Sequence, residues 1–516
     1  MEQALKRLIF CFDGSWNKIS EHGLTNVALT ASAVAKQQVV QVDDEDLLKR
    51  GFSVGDIIPQ IVHYDEGVGT NRNEKYGGGM FGKGLYANVR EAYLFLCLNY
   101  EPGDEIYLFG FSRGAYTARS FGGLVGNCGI MRSEYIEKVL EAARLYKARG
   151  EANTDAKRIA LQEDLFALIK KYGHPVTTCQ AEHDWKLCQF GLEEHNHPRV
   201  DIKYIGLWDT VKSIFTLRQS LGLPDPSSEF HDEDIPECTS SGRHAVALDE
   251  HRKTFDFTPW ENLDQANKRV FEKINWSGSF DEYKISKDRA FKEVWFPGTH
   301  GSVGGGGERR GLSDTSLLWV LDGARAEGLQ INTVSESKVF QLKPTPIHYL
   351  DNTEKDGVME QVSEIKSAVP FRKFTRSGPN HLSEVSGSAL ARYAAPPSVL
   401  PKEEERKSES SYRPGALKKI ENEVKAFVES HYTEEDFELY NGYADSDWEK
   451  MEAKRTVSGW EYELYTVKQD DTLSKIAKSE IQNNSYKALQ ACNKVMVPNY
   501  NMLHPGQVLS IPKRKV

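Results

Sequence analysis

Three polar residues of this chain stand where a hydrolytic reaction could use them. Ser112 lies between two glycines in "IYLFGFSRGAYTAR", residues 106–119, where an apolar run stops. Asp209 ends the apolar run of "YIGLWDTV", and His300 follows that of "FKEVWFPGTH", ahead of a glycine-rich loop. Gly110-x-Ser112-x-Gly114 between a strand and a helix is the nucleophile-elbow pattern, a tight turn that leaves no room for neighbouring side chains. A serine hydroxyl needs a base to become a nucleophile, usually a histidine held by a carboxylate. On this type of sheet the chain order is serine, acid, histidine. Ser112 is therefore expected to be the nucleophile, Asp209 the acid and His300 the base. The bland alternatives are a structural glycine turn, a helix-cap aspartate and a loop histidine. The rival acid is Asp249 in "HAVALDEHRKTF", whose neighbours Glu250 and Arg252 suggest a structural ion-pair cluster.

Acyl transfer also needs donors for an oxyanion. The backbone N–H of Arg113 opens the helix after Ser112, and helix N-termini favour negative charge. A second donor is expected from "CFDGSWN", where Gly14 lets the backbone approach closely and Asp13 orders the loop. The loop "GSVGGGGERRG" lacks the Gly-Lys-Ser/Thr ending of a phosphate-binding loop and is read as a frame for His300. Cys179, His183, Cys188, His195 and His197 cluster in sequence but fit no standard zinc spacing. Neither a metal nor a cofactor is expected.

The elements that must position these residues are legible as apolar runs. "RLIFCF", "IPQIVHY", "IYLFGF", "VDIKYIGLWDTV" and "FKEVWFPGTH" read as strands. "GKGLYANVREAYLFLCLNY" shows helical spacing, and "YTARSFGGLVGNCG" reads as a helix ended by glycine. Strands alternating with helices predict an α/β fold with a mainly parallel sheet, whose ligands bind beyond the carboxyl ends of the strands. Residues 133–171 are charged and helical; with the stretch up to 200 they form either a cap over the site or a surface hairpin. Residues 395–416 are proline-rich and charged and read as a loop.

The chain has 516 residues, 39% of them apolar and 27% charged, an ordinary soluble composition with room for more than one domain. The net charge of −10 disfavours a general nucleic-acid binder. Seven scattered cysteines do not form a disulfide framework. The N-terminus "MEQALKRLIFCFDGSWNK" has no cleavage-site pattern, and no apolar stretch is long enough to span a membrane. Synthesis in the cytoplasm without a signal peptide is expected, with any export by a specialised machine.

The motifs "FCFDGSWN", "TNV" at 25–27, "YDEGVGT", "NVREAYLFLCLNYEPGDEIYLFGFSRGAYTARSFGGLVG", "YIGLWDTV", "HAVALDEHR" and "WFPGTHGSVGGGG" together resemble the α/β-hydrolase domain of type VI secretion phospholipase effectors. The likeness runs in order from about residue 6 to 325, with an echo in "HLSEVSGSALAR" and "SYRPGAL". It implies the same three residues, Ser112, Asp209 and His300, and lipolytic esters as substrates. One departure is Gly301-Ser302, where the family usually has a Ser-Asp pair. The tail, 465–512, resembles a LysM domain: "YTVKQDDTLSKIA" for strand and first helix, "YKALQACN" for the second helix, "LHPGQVLSIP" for the closing strand. Such modules usually bind N-acetylglucosamine chains of peptidoglycan or chitin.

The expected architecture is a catalytic α/β-hydrolase domain over 1–418, with an insertion at 133–200, a linker over 419–462 and a small βααβ LysM domain over 463–516. The expected activity is that of a serine esterase, of phospholipase or lipase type, held on a glycan by its tail. Two alternatives are a non-lipid esterase such as a wall-polysaccharide deacetylase, and a wall-binding or secretion-scaffold protein with a secondary hydrolase fold. A secretion-machine spike or an immunity protein is a further expected partner.

Overall fold

The computed structural model describes residues 5–14, 23–67, 78–177, 180–193, 197, 199–211, 234–307, 309–332, 342, 344–351, 374–401, 410–433, 437, 460–466, 471–480 and 508–514. A seven-stranded sheet organises the larger part of the chain. Its strands are β1 (Arg7–Phe12), β2 (Gln37–Val39), β3 (Ile57–Asp65), β4 (Glu105–Phe111), β5 (Ile202–Trp208), β6 (Thr239–Ala247) and β7 (Phe291–Phe296). They lie in the order β2-β3-β1-β4-β5-β6-β7. All neighbours pair in parallel except β2, which runs antiparallel to β3 at the edge. The α/β architecture with a mainly parallel sheet is thus the one expected. β2 and β6 are not among the strands marked by apolar runs; the first half of β6, Thr239-Ser240-Ser241-Gly242-Arg243, is polar and carries no strand pattern.

Both faces of the sheet are covered, which is why β1 and β4 are apolar after their first residues, the paired Arg7 and Glu105, rather than alternating. Phe10, Phe12 and Leu108 pack on one face with the helices α2 (Gly78–Asn99) and α3 (Arg113–Cys128). Ile9, Cys11 and Phe109 pack on the other with α1 (Asn26–Ala33) and, further along, Gly311–Ala326. Each fully buried Leu, Ile or Phe adds about 1.5–3 kcal/mol. That burial makes the strand ends rigid supports.

The charged insertion folds as two helices, Val139–Gly150 and Asp155–Tyr172. Val139, Ala142, Tyr146, Leu165 and Ile169 join the core on the α2–α3 side. Tyr146 reaches the carbonyl of Ser120, and Cys128 Sγ that of Ala142, both along the later part of α3. These contacts place the hairpin in the helical layer beside α3.

Beyond the sheet edge at β7, a third core joins Val246, Leu248 and Trp295 to residues between Val385 and Phe437. The helix Glu421–His431 buries Val424 completely within it. The packed body therefore runs past residue 418, and the expected linker does not begin at 419. Apolar side chains at 424, 432 and 437 close this core, a pattern masked by the charges between them.

In the tail, Trp460–Thr466 pairs antiparallel with Val508–Arg514, and Leu473–Glu480 is helical. Leu473, Ile476, Leu509 and Ile511 are buried. The first strand starts at Trp460, ahead of the expected boundary at 463. The second helix expected at "YKALQACN" lies outside the described residues.

Candidate active site

Ser112 is the residue after β4 and precedes α3. Its backbone is at φ 56° and ψ −123°, a conformation that side chains other than glycine's rarely adopt and that costs about 1–3 kcal/mol. The two glycines make this turn buildable. A Cβ at Gly110 would stand 2.6 Å from the Ala115 Cα, and one at Gly114 would stand 2.2 Å from the Phe12 carbonyl oxygen. The chain doubles back so tightly that any side chain at either position would strike backbone. Hydrogen bonds hold the turn: Ser112 N–H donates to the Trp208 carbonyl at 3.0 Å, and the Ser112 carbonyl accepts from Val211 N–H at 3.3 Å.

Asp209 and His300 arrive from the two strands expected. Register pairs Phe111 with Trp208, so Ser112 and Asp209 each lie one residue past the ends of adjacent strands. Asp209 also has a positive φ, 40°. His300 opens the short helix His300–Gly304 after β7. Its Nε2 is 2.8 Å from Ser112 Oγ, and its Nδ1 is 2.6 Å from Asp209 Oδ2. With an ionised carboxylate, Nδ1 must be the protonated nitrogen, which leaves Nε2 to accept the serine O–H. The imidazole packs between the rings of Phe111, at 4.7 Å, and Phe255, at 5.0 Å. Burial lowers the His300 pKa, and the bond and charge of Asp209 only partly oppose it. The ring is therefore neutral at pH 7 and able to take a proton.

Asp249 takes no part in this contact. Its Oδ2 accepts the Gly298 N–H at 2.7 Å and the Tyr412 hydroxyl at 2.7 Å. Burial raises its pKa. Asp249 thus fixes the turn that delivers His300 without touching the imidazole. The expected ion pair exists between Glu250 and Arg252, at 2.7 Å, and Glu250 Oε2 also accepts the His300 backbone N–H at 3.2 Å.

Asp13 is buried at the end of β1. It accepts the Gly14 N–H at 2.6 Å and the hydroxyls of Tyr64, at 2.7 Å, and Thr25. It orders the loop, as its sequence position suggests. The Gly14 N–H is therefore engaged by Asp13, and any oxyanion role for it requires that bond to be shared. The loop abuts the serine turn, since a Cβ on Gly114 would lie 2.4 Å from the Asp13 carbonyl. In the glycine-rich loop, a Cβ on Gly304 would enter the Phe111 ring at 1.9 Å, so the loop closes tightly around the His300 support. Ser302, at the departure from the family pattern, donates to the Leu350 carbonyl at 2.7 Å.

Among the described residues no group of three or more His, Cys, Asp or Glu could hold a metal. His183 Nε2 contacts the His197 carbonyl at 2.8 Å, and His197 Nδ1 lies 2.9 Å from His174 Nδ1. Cys179 and His195 lie outside the described residues.

One residue escaped the sequence reading. Arg376 is fully buried against Asp209: Nη1 is 2.6 Å from Oδ1 and Nη2 is 2.9 Å from Oδ2. Nothing in "FTRSGPN" distinguishes this arginine from an exposed loop cation. Burial alone would raise the Asp209 pKa; the Arg376 charge and the His300 bond outweigh it and hold the carboxyl well below its ordinary range.

The model of a family described as type VI secretion system phospholipase effector, Tle1-like, catalytic domain, matches residues 6–323. This chain belongs to that Tle1-like family. Its tail, 465–512, matches the LysM domain. An uncharacterized protein of Saccharomyces cerevisiae, YEL023C, is 26% identical over 272 residues, which are 49% of this chain and 33% of the yeast protein. The chain thus spans 33% of the length of that curated relative. Two solved structures are also similar. One shows the Tle1 effector bound to the VgrG spike of the type VI secretion system, with 16% identity, TM-score 0.29, and coverage of 60% of this chain and 52% of that one. The other is an uncharacterized protein from Pseudomonas aeruginosa, with 14% identity, TM-score 0.34, and coverage of 98% and 75%. The Tle1-like match contains Ser112, Asp209 and His300 but ends before Arg376 and Tyr412, both of which reach back to the carboxylates at the strand ends.

Proposed function

We propose that this Tle1-like chain is a serine hydrolase of the α/β-hydrolase type that cleaves carboxylic esters of phospholipids through an acyl-enzyme. The observation that carries this reading is the chain of contacts from Ser112 Oγ to His300 Nε2 at 2.8 Å and from His300 Nδ1 to Asp209 at 2.6 Å. His300 takes the Ser112 proton as Oγ attacks the ester carbonyl. The Arg113 N–H stabilises the oxyanion, worth about 3 kcal/mol, with the Gly14 loop as second donor once its N–H is shared with Asp13. His300 then protonates the leaving alcohol. Water, activated by the same imidazole, releases the fatty acid and restores Ser112. Family membership supports a phospholipid ester as substrate and export through a type VI machine, whose spike and an immunity protein would be its partners. No helix among the described residues is long and apolar enough to cross a membrane. The hydrolase unit extends to at least residue 437, where Phe437 closes its third core, and the LysM tail holds it on peptidoglycan or a chitin-like glycan. That tail also favours a second reading, in which the ester is an acetyl group on a wall polysaccharide.

The test sets phospholipid vesicles, short and long p-nitrophenyl esters and acetylated wall polymer side by side, for wild type and Ser112→Ala. Fatty-acid release from vesicles by wild type alone is the expected result. Acetate release from wall polymer without vesicle turnover would select the second reading. Equal turnover by both proteins on every ester would remove Ser112 from the mechanism.

A further inference from the structure

We infer that Arg376 is a positioning residue for the reaction, a two-pronged clamp that keeps the Asp209 carboxylate charged and aimed at His300. The inference rests on the hydrolase reading above and extends it to a residue beyond the matched catalytic domain.

Asp209 is wholly buried. An ionised carboxylate in such a place is costly unless it is paired and its lone pairs are occupied. Its four contacts divide evenly. Oδ1 accepts from Ala247 N–H at 2.9 Å and Arg376 Nη1 at 2.6 Å; Oδ2 accepts from His300 Nδ1 at 2.6 Å and Arg376 Nη2 at 2.9 Å. The backbone amide and the resting imidazole are neutral. Among these contacts, only Arg376 brings opposite charge. The guanidinium is itself fixed, because Nη1 donates to the Ala247 carbonyl at 2.9 Å and Nη2 to the Phe255 carbonyl. Phe255 is the ring that packs edge-on against His300. Arg376 therefore joins three supports of the imidazole: the acid that orients it, the end of β6 and the aromatic wall.

A planar fork binding both carboxylate oxygens sets the rotation of the carboxyl group as well as its charge, which a lysine ammonium cannot do. The backbone alone does not secure this geometry, since Asp209 sits at a strained positive φ. Two other carboxylates lie near this pair. Glu250 is paired with Arg252, while Asp256, on the exposed side, feels the charges of both Arg376 and Asp209 but makes no contact with either carboxylate oxygen of Asp209. Removing Arg376 would leave burial as the dominant influence on Asp209, and the carboxyl would hold its proton to higher pH.

The experiment measures kcat and KM on a soluble p-nitrophenyl ester from pH 5 to 9 for full-length wild type, Arg376→Met and Arg376→Lys, with near-ultraviolet circular dichroism as the folding check. For Arg376→Met, kcat should fall about 100-fold with KM nearly unchanged, and the acid limb should move up in pH. Arg376→Lys should recover the position of the limb but lose about tenfold in kcat, because charge returns without the fork. A folded Arg376→Met with wild-type kcat and an unmoved limb overturns the inference. If that variant does not fold, Arg376→Lys decides: wild-type kcat there overturns the clamp. Ser112→Ala, run in parallel, separates the two questions. Its full activity would sink the hydrolase reading itself, whereas inactive Ser112→Ala beside normal Arg376 variants would sink the clamp alone.

Discussion

Ser112 and Asp209 end adjacent parallel strands in register, and they are the two non-glycine residues with positive φ among those described. Both are strained at the carboxyl ends of central strands, where ligands of such sheets bind. The strain is held by the bonds that tie one turn to the other, from Ser112 N–H to Trp208 and from Val211 N–H to Ser112. His300 completes the geometry from a third strand.

Substituting the serine separates chemistry from strain. Ser112→Ala should keep the fold and lose about 10⁶ in kcat. Ser112→Gly should be equally inactive yet more stable by about 1 kcal/mol, because glycine adopts this backbone at no steric cost. Ester kinetics and urea unfolding check both halves. Turnover surviving in either variant would exclude the elbow as the reaction site.

The two candidate aspartates should respond in opposite ways. Asp209→Asn should lower kcat by about 10⁴, since an amide cannot hold the imidazole in the required tautomer. Asp249→Asn should act mainly on stability, by about 1–3 kcal/mol, through the Gly298 and Tyr412 bonds. Kinetics and melting curves of both variants decide this. A larger kcat loss at Asp249, with both proteins folded, would reverse the assignment.

The pH profile follows from His300. The neutral imidazole is the base, and burial puts its pKa below the ordinary 6.5. A lowered pKa keeps the base neutral further into acid. The rising limb of kcat/KM should therefore have its midpoint below about 6.5, the value for an unperturbed histidine. A midpoint above 7 on a non-ionising ester would show that the site does not desolvate His300.

Shortening the chain after residue 440 should leave soluble-ester turnover within about twofold, because it keeps Phe437 in the third core and because, among the described residues, the side-chain contacts to Asp209, Asp249 and His300 come from residues up to 412. It should abolish retention on peptidoglycan or chitin, the binding expected of the LysM match. Sedimentation with insoluble polymer, beside soluble-ester kinetics, measures the two effects. Loss of soluble-ester activity would make the tail an integral part of the hydrolase.

Sequence alone determined what depends on contiguous residues. The glycines at 110 and 114, the apolar run before them and the helix after them specify the serine turn, because each constraint lies within one strand and one helical turn. The order of Ser112, Asp209 and His300 along strand ends was readable for the same reason: every one of them terminates or follows a local apolar run. Tertiary structure decided what depends on which ends meet. Asp209 and Asp249 both follow an apolar run; the charges beside Asp249 favour the first as the acid, but it is the parallel pairing of β4 with β5 that puts Asp209 beside Ser112, while Asp249 is taken up by Gly298 and Tyr412. The hairpin at 139–172 lies against α3 because its apolar residues match that surface, a choice invisible in its charge pattern. Arg376, 167 residues from Asp209, carries no local sign of its partner. A buried guanidinium and a buried carboxylate each look like surface residues in sequence, and the low-dielectric contact that makes them a pair exists only once the chain has closed around both.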